Sequence, residues 1–142
     1  MSNPRVEAFS DAMEGDFLTF IIDNATITYS ATEVNGSAVV GRAVSLSAAK
    51  TIQLAADAEA VVGKLVKVEA DNTATVQVKG VMLLPGGNAA DLTLGKAIVG
   101  AASAAPANGY IREVNTAAAA ELGLARGFII DAGTTTAVAV CL

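Results

Sequence analysis

Short runs of apolar residues, or of alternating apolar and polar residues, recur along most of the chain and are separated by Gly, Asn, Asp and Pro. They follow one another at intervals of about ten residues, a spacing typical of β-sandwiches and β-barrels. We therefore predict an all-β fold, a small barrel or sandwich of short antiparallel strands with one or two short helices. The predicted strands include "FLTFII", "ATITYS", "AVVGRAVSL", "TATVQVKGVMLL", "GYIREV" and "TAVAVC".

The stretch "KLVKVEADNTATVQVKG" shows the clearest alternation and predicts a β-hairpin. A three-residue loop ending at Asn72 pairs Val68 with Ala74 and Val66 with Val76, whereas a two-residue loop would mix the two faces. Asn72 then takes the position that needs a left-handed backbone, which Asn tolerates. One face of the hairpin should be Val and Ala. The predicted polar face consists of Lys67, Glu69, Thr75, Gln77 and Lys79.

Two Ala-rich segments could form either helix or strand. "NTAAAAELG" predicts a helix of one to two turns, because Thr116 can cap its start and Gly123 can end it. In "SAAKTIQLAADAEAVVGK" the β-branched residues favour a strand at 51–54 followed by a loop. "LPGGNAADLTLGK" and "GAASAAPANG" are predicted to be loops.

The composition predicts one domain with a core of small side chains. The chain has 142 residues and 53% hydrophobic content, mostly Ala and Val, with no Trp. No apolar run approaches the ~18 residues of a membrane helix, and the N-terminal sequence lacks the apolar stretch of a secretory signal. We therefore expect no membrane partner and synthesis in the cytoplasm. Cys141 lies in an apolar run and is predicted to be a buried structural thiol.

The net charge of −5 is concentrated at one end. Residues 1–41 carry six acids and one base, whereas the rest of the chain carries eight of each, and four of the six aromatic residues lie in the same segment. We predict an extended N-terminal arm, residues 1–16, ahead of a single β domain, residues 17–142. The acidic balance excludes nucleic acid as a partner, since such binding calls for a basic patch.

The N-terminal arm is the predicted partner-binding element. Its apolar residues can fill pockets on a partner, while its acids steer the arm and set its register. Phe17 and Phe20 follow the arm in a predicted strand and are expected in the core. The alternative is a terminal tail without a role. The predicted contact residues are Val6, Glu7, Phe9, Asp11, Met13 and Glu14.

The sequence offers little catalytic chemistry. The chain has no His, the commonest general base and metal ligand. Asp11, Glu14 and Asp16 in "DAMEGD" could bind a hard metal ion, but the spacing of a calcium loop is missing. "DAGTTT" is read as a hairpin turn, and the glycines before Lys96 lack the spacing of a phosphate-binding loop. We therefore predict no enzyme activity, no cofactor and no metal.

Two stretches together resemble the capsid decoration, or cement, proteins of tailed bacteriophages. They are "GRAVSLSAAKTIQLAADAEAVVGKLVKVEADNTATVQVKGVMLLPGG" and "ARGFIIDAGTTTAVAVCL", and the resemblance covers roughly residues 38–142. It is carried by the entry to the hairpin at residues 62–66, the step from Gly80 to Val81, and the terminal hairpin from Gly127 to Ala137.

The resemblance implies a structural protein that binds the outer surface of a phage head and stabilises contacts between subunits of the major capsid protein. Such proteins are commonly homotrimers and sometimes homodimers. The expected location is the virion, after synthesis in the bacterial host cytoplasm. An alternative is a small β module that binds carbohydrate or peptide. That module would need an exposed aromatic platform, and only Tyr110 and Phe128 lie outside the N-terminal segment. A third possibility is a minor enzyme of the trimeric β type.

Overall fold

A computed structural model describes residues 16–87, 92–103, 107–134 and 137–142. Within these ranges the chain forms ten β-strands, one 3₁₀ turn and one short α-helix, which confirms the predicted all-β fold. The strands are β1 (Asp16–Ile22), β2 (Ala43–Ala48), β3 (Thr51–Leu54), β4 (Gly63–Val68), β5 (Thr73–Lys79), β6 (Val81–Leu84), β7 (Ile98–Ser103), β8 (Ala107–Glu113), β9 (Phe128–Thr134) and β10 (Ala137–Cys141). The 3₁₀ turn is Val34–Gly36, and the helix α1 is Ala119–Leu122.

The first five strands close into a barrel in the order β1-β3-β2-β4-β5, and β5 returns to pair with β1. Strands β1 and β3 run parallel, whereas the other neighbouring pairs are antiparallel. Ile, Leu and Val fill most of the interior and Ala74 is its one small residue, so the core side chains are larger than the composition predicted. This barrel core consists of Ile22, Ile27, Val44, Ile52, Leu54, Leu65, Val68, Ala74 and Val76.

The loop of the β4–β5 hairpin has the predicted form. Val68 lies opposite Ala74, and the Glu69 amide donates to the Thr73 carbonyl oxygen at 2.8 Å. Asn72 has a φ of 63°, the left-handed backbone that the three-residue loop requires.

The register of β4 differs from the prediction. A bulge before Lys67 makes Leu65, and not Val66, the partner of Val76. Leu65 is therefore buried in the barrel, whereas Val66 is only half-buried. Gln77, predicted on the wet face, is buried as well, and its amide nitrogen donates to the carbonyl oxygens of Lys79 and Val81. The bulge changes the phase because it places one extra residue in the strand.

The remaining strands form two smaller sheets. Strands β6, β10 and β9 make an antiparallel sheet in that order, and β7 pairs with β8 as a hairpin. Strands β9 and β10 pair on either side of residues 135–136, which confirms the hairpin predicted at "DAGTTT". A second core lies among these sheets and the neighbouring barrel residues. It consists of Ala43, Ala55, Val61, Met82, Leu84, Ile98, Ile111, Ile129, Val138 and Val140.

Strand β7 touches the loop that follows β3 through backbone hydrogen bonds. The Gly100 amide donates to the Glu59 carbonyl oxygen at 2.8 Å, and the Ala58 amide donates to the Gly100 carbonyl oxygen at 3.0 Å. A Cβ atom at Gly100 would lie 2.3 Å from the carbonyl oxygen of Ala56. Only glycine lets the two backbones approach this closely.

Arg126 ties the barrel to the second core from the residues just before β9. Its guanidinium donates to the carbonyl oxygens of Val61 and Val62, the latter at 2.6 Å, and to that of Val78. These carbonyls belong to the entry of β4 and to β5. One side chain therefore satisfies three backbone acceptors at the junction.

Two segments differ from the predicted elements. "ATITYS" is not a strand, because the Asp23 carboxylate accepts hydrogen bonds from the amides of Ala25, Thr26 and Ile27 and folds the backbone into a turn. "GAASAAPANG", predicted as a loop, is largely strand: β7 extends to Ser103, and β8 begins at Ala107. These strands were not predicted because the segment consists of small residues and shows no alternation of apolar and polar side chains.

The short helix lies where it was predicted but begins differently. Its first residue is Ala119, and the capping position is held by Ala118 without a side-chain hydrogen bond. Thr116 lies in a preceding turn, in which the Asn115 side chain accepts from the Ala117 amide at 3.0 Å. Asn115 therefore organises the turn that Thr116 was expected to cap.

Candidate interaction surfaces

The predicted contact residues of the N-terminal arm, Val6, Glu7, Phe9, Asp11, Met13 and Glu14, lie outside the residues that the structure describes. The structure begins at Asp16, which already belongs to β1. Phe20 packs partly against the barrel core, as predicted. Phe17 was also expected in the core, but 49% of it is exposed. The prediction for Phe17 was wrong, because Phe17 lies in the first part of β1, where residues 16–19 are all exposed.

Both faces of the β6-β10-β9 sheet carry mainly apolar residues. Its inner face packs into the second core through Met82, Leu84, Ile129, Val138 and Val140. We call the opposite side the outer face. It consists of Val81, Leu83, Phe128, Ala139 and Cys141, with Ile130 and the charged Asp131, which lies opposite Ala139, at the β9 border.

The strand register places the outer-face residues side by side. Ala139 lies opposite Leu83, and Cys141 lies opposite Val81 on one side and Phe128 on the other. The exposed fractions are 54% for Leu83, 47% for Phe128 and 43% for Ile130. Exposed apolar side chains grouped in this way make the outer face a candidate binding surface.

Charged residues border the outer face. Beside β6, Leu83 also lines a cleft of about 360 Å³ together with Arg42, Lys64 and Tyr110. The Arg42 guanidinium lies 5.3 Å from the centre of the Tyr110 ring. Beside β9, Asp131 lies opposite Ala139. An apolar centre within a charged rim is the usual anatomy of a protein–protein contact.

The outer face was not predicted from the sequence, although the pattern of apolar residues in β6 and β10 indicates it. "VMLL" and "AVAVC" are apolar at odd and at even positions, which is typical of strands that are covered on both faces. Cys141 was predicted to be buried, but it lies on the outer face and is half-buried.

A cavity with a mainly polar lining lies beside β8 and has a volume of about 530 Å³. Its main charged group is Arg112, whose guanidinium bonds Asp57 and Glu121, both at 2.8 Å, and the carbonyl oxygen of Glu113 at 3.1 Å. The hydrogen bond from Arg112, with that from the Asn115 amide, lowers the pKa of Glu121 to about 2. The same carboxylates raise the pKa of Arg112.

All the donors of Arg112 are therefore used within the protein. The Arg112 guanidinium joins the loop after β3, strand β8 and helix α1, so it acts as a structural clamp. A ligand in this cavity would have to displace a carboxylate from the guanidinium, which is unfavourable. The cavity contains no free charged donor for a substrate.

A second polar cluster surrounds Glu59 near β2 and β3. Its carboxylate accepts hydrogen bonds from the Ser45 hydroxyl, from the Gln53 amide nitrogen and from the Ala56 backbone amide at 2.9 Å. Within the described ranges, no three Cys, Asp or Glu side chains are grouped to hold a metal ion. The same residues include no helix long and apolar enough to cross a membrane.

Comparison of the chain with protein-family models, with curated proteins and with solved structures gives no match. Its function therefore has to be argued from its own surfaces.

Proposed function

We propose that this protein is a capsid decoration protein of a tailed bacteriophage, which binds the outer surface of the head and stabilises contacts between subunits of the major capsid protein. The observation that carries the proposal is the outer face of the β6-β10-β9 sheet, an exposed apolar sheet surface. The resemblance of residues 38–142 to cement proteins gives the class of partner.

The outer face suits a static contact between proteins. An antiparallel sheet that meets water normally carries polar residues on that side. Here Leu83 and Phe128 take those positions instead. Both lie on paired strands and are held in place by the core on the opposite side of the sheet. A rigid surface loses little conformational entropy when a partner covers it.

The charged rim supports recognition of a particular partner surface. Arg42 and Lys64 border one side of the outer face, and Asp131 borders the other. Such charges set the orientation of docking and exclude mismatched partners. In this proposal the acidic N-terminal arm supplies a second contact through Val6, Glu7, Phe9, Asp11, Met13 and Glu14. The arm reaches a neighbouring capsid subunit, and the protein acts as a clamp.

The alternative of a small carbohydrate-binding module is less well supported. Sugar rings stack on the open face of an aromatic side chain, but the guanidinium of Arg42 already lies over the Tyr110 ring. Phe128 is exposed, yet its neighbours Cys141 and Ile130 offer sugar hydroxyls only a weak thiol donor. We therefore favour a protein partner over a sugar.

The test is binding to heads of the phage that encodes the chain, prepared without this protein. The double variant Leu83→Ser with Phe128→Ser removes the two largest exposed side chains of the outer face. We expect it to bind at least roughly tenfold more weakly than the wild type, because central apolar residues carry most of an interface's free energy. Co-sedimentation of labelled protein with the heads measures the change.

The matched control is Val34→Ser with Leu46→Ser, which removes two other exposed apolar side chains, one in the 3₁₀ turn and one in β2 of the barrel. It should bind like the wild type. Deletion of residues 1–15, with an unchanged melting transition, should also weaken binding, and more so at low salt. Wild-type binding by the Leu83 and Phe128 variant, or failure of the wild type to bind heads at all, would refute the proposal.

A further inference from the structure

Two cationic side chains at the rim of the outer face have no acidic partner in the described part of the chain. Arg42 and Lys64 line the cleft beside Leu83. The Arg42 guanidinium donates to the Asn108 carbonyl oxygen at 3.3 Å and lies over the Tyr110 ring. Among the described carboxylates, none forms an ion pair with Arg42 or Lys64. An acidic group placed beside this cleft would therefore be stabilised.

The N-terminal arm starts beside the same face. Asp16 lies opposite Lys79, and two residues after Lys79 the chain reaches Val81, the first residue of β6. The Gln77 side-chain amide holds the Val81 carbonyl oxygen at 3.2 Å, and Gln77 lies opposite Phe17. The beginning of β6 is therefore fixed next to the beginning of β1. The arm leaves the barrel at one end of the outer face.

Lys64 lies within reach of the arm. It lies opposite Gln77, which lies opposite Phe17 on the other side. Since neighbouring strands are about 4.8 Å apart, the Cα atoms of Phe17 and Lys64 are roughly 10 Å apart. Asp11 precedes Phe17 by six residues, which span up to about 20 Å when extended. The arm is therefore long enough to pass over Val81 and bring Asp11 to Lys64.

We propose that, in the free protein, the N-terminal arm folds back along β6 and covers the outer face. Met13 packs on Val81 and Cys141, which lie opposite each other. Asp11 pairs with Lys64 in the cleft. Two residues of extended chain separate Met13 from Asp11 and span about 7 Å, which matches the distance along β6 from Val81 to the residue that lines the cleft.

Charge and tethering favour this arm over another occupant of the outer face. Residues 1–15 carry three acids and one base, a balance opposite in sign to that of the cleft. Because the arm is joined to the barrel at Asp16, its effective concentration at the outer face is in the millimolar range, so a small contact suffices. The contact belongs to the free protein and does not depend on the proposed function. On a head, in that proposal, the capsid replaces the arm on the outer face.

The test uses Cys141, the single cysteine of the chain, as a reporter. Its reaction with dithiodipyridine, an uncharged thiol reagent, is followed in the full-length protein without heads. Lys64→Glu should speed the reaction by roughly fivefold, because repulsion replaces the ion pair and releases the arm. Asp11→Lys should speed it as much. The double variant, with the two charges exchanged, should react as slowly as the wild type.

A direct effect of charge on the thiol gives a different pattern. The thiolate is the reacting form, so Lys64→Glu without release of the arm would slow the reaction, whereas Asp11→Lys would speed it. Lys50→Glu is the matched control, because Lys50 is exposed beside Ile21, towards the other end of β1. It should leave the rate unchanged.

Three results would overturn the inference. The first is a reaction that Lys64→Glu slows or leaves unchanged. The second is a charge-exchanged variant that reacts as fast as the single reversals. The third is a wild-type rate that falls as the protein concentration rises, because the arm of a second copy would then be covering the face.

Discussion

The β4–β5 hairpin of the barrel and the β6-β10-β9 sheet each bury one apolar face in a core, but their opposite faces differ. In the hairpin, the buried Val68 and Ala74 alternate with exposed or half-buried residues such as Lys67 and Thr75. In the sheet, most of the outer positions are apolar as well, although Asp131 is charged. The first pattern is that of a sheet with water on one side. The second leaves apolar side chains exposed, and in our proposal a partner covers them.

The largest expected effect on stability comes from substituting two neighbouring residues of β6, one on each face of the sheet. Leu84 is fully buried, whereas 54% of Leu83 is exposed. We expect Leu84→Ala to lower the free energy of unfolding by about 2–5 kcal/mol, because it leaves a cavity in the core. Leu83→Ala should change it by less than about 0.5 kcal/mol. Urea unfolding measures both values, and equal losses would mean that the outer face supports folding and not binding.

A smaller effect on stability is expected in the loop of the β4–β5 hairpin. The left-handed backbone of Asn72 makes Asn72→Ala unfavourable by about 1 kcal/mol, whereas Asn72→Gly should change the stability by only a few tenths. Thermal unfolding of the two variants gives the difference. If both variants lost the same stability, the Asn side chain and not the backbone conformation would be holding the loop.

The smallest expected effect compares two ion pairs, Arg112–Glu121 between β8 and α1 and Lys67–Glu69 in the β4–β5 hairpin. The pKa of Glu121 is lowered from its ordinary value of 4.5 to about 2, so its contribution to stability is complete above pH 4.5 and is lost as the pH falls towards 2. Glu121→Gln should therefore flatten the fall of the melting temperature over that range. Glu69→Gln in the exposed Lys67–Glu69 pair of the barrel should change it little. Equal slopes in the wild type and Glu121→Gln would contradict the role of the Arg112 clamp.

Much of the fold could be predicted from alternation and turn chemistry, including the all-β class, the hairpin loop at Asn72 and the strand at 51–54. The bulge in β4 could not, because Leu65 and Val66 are both apolar and alternation does not choose between them. The turn after β1 was not predicted. The residues of "ATITYS" favour a strand, but the Asp23 carboxylate accepts hydrogen bonds from three backbone amides and holds them in a turn.

The candidate surfaces were harder to predict than the strands. The sequence located apolar runs in β6 and β10, but which side of each strand lacks a covering layer depends on the whole arrangement of the sheets. The position of the start of the arm beside β6 likewise depends on the pairing of Asp16 with Lys79. Both are properties of the tertiary structure that the amino-acid pattern reports only indirectly.

The central claim is that the outer face of the β6-β10-β9 sheet binds the major capsid protein. Cryo-electron microscopy of the native head tests it most directly. The account predicts density for this chain on the outside of the head, with Leu83 and Phe128 packed against capsid residues. Density in which these two side chains face solvent, or heads that lack the chain altogether, would contradict it.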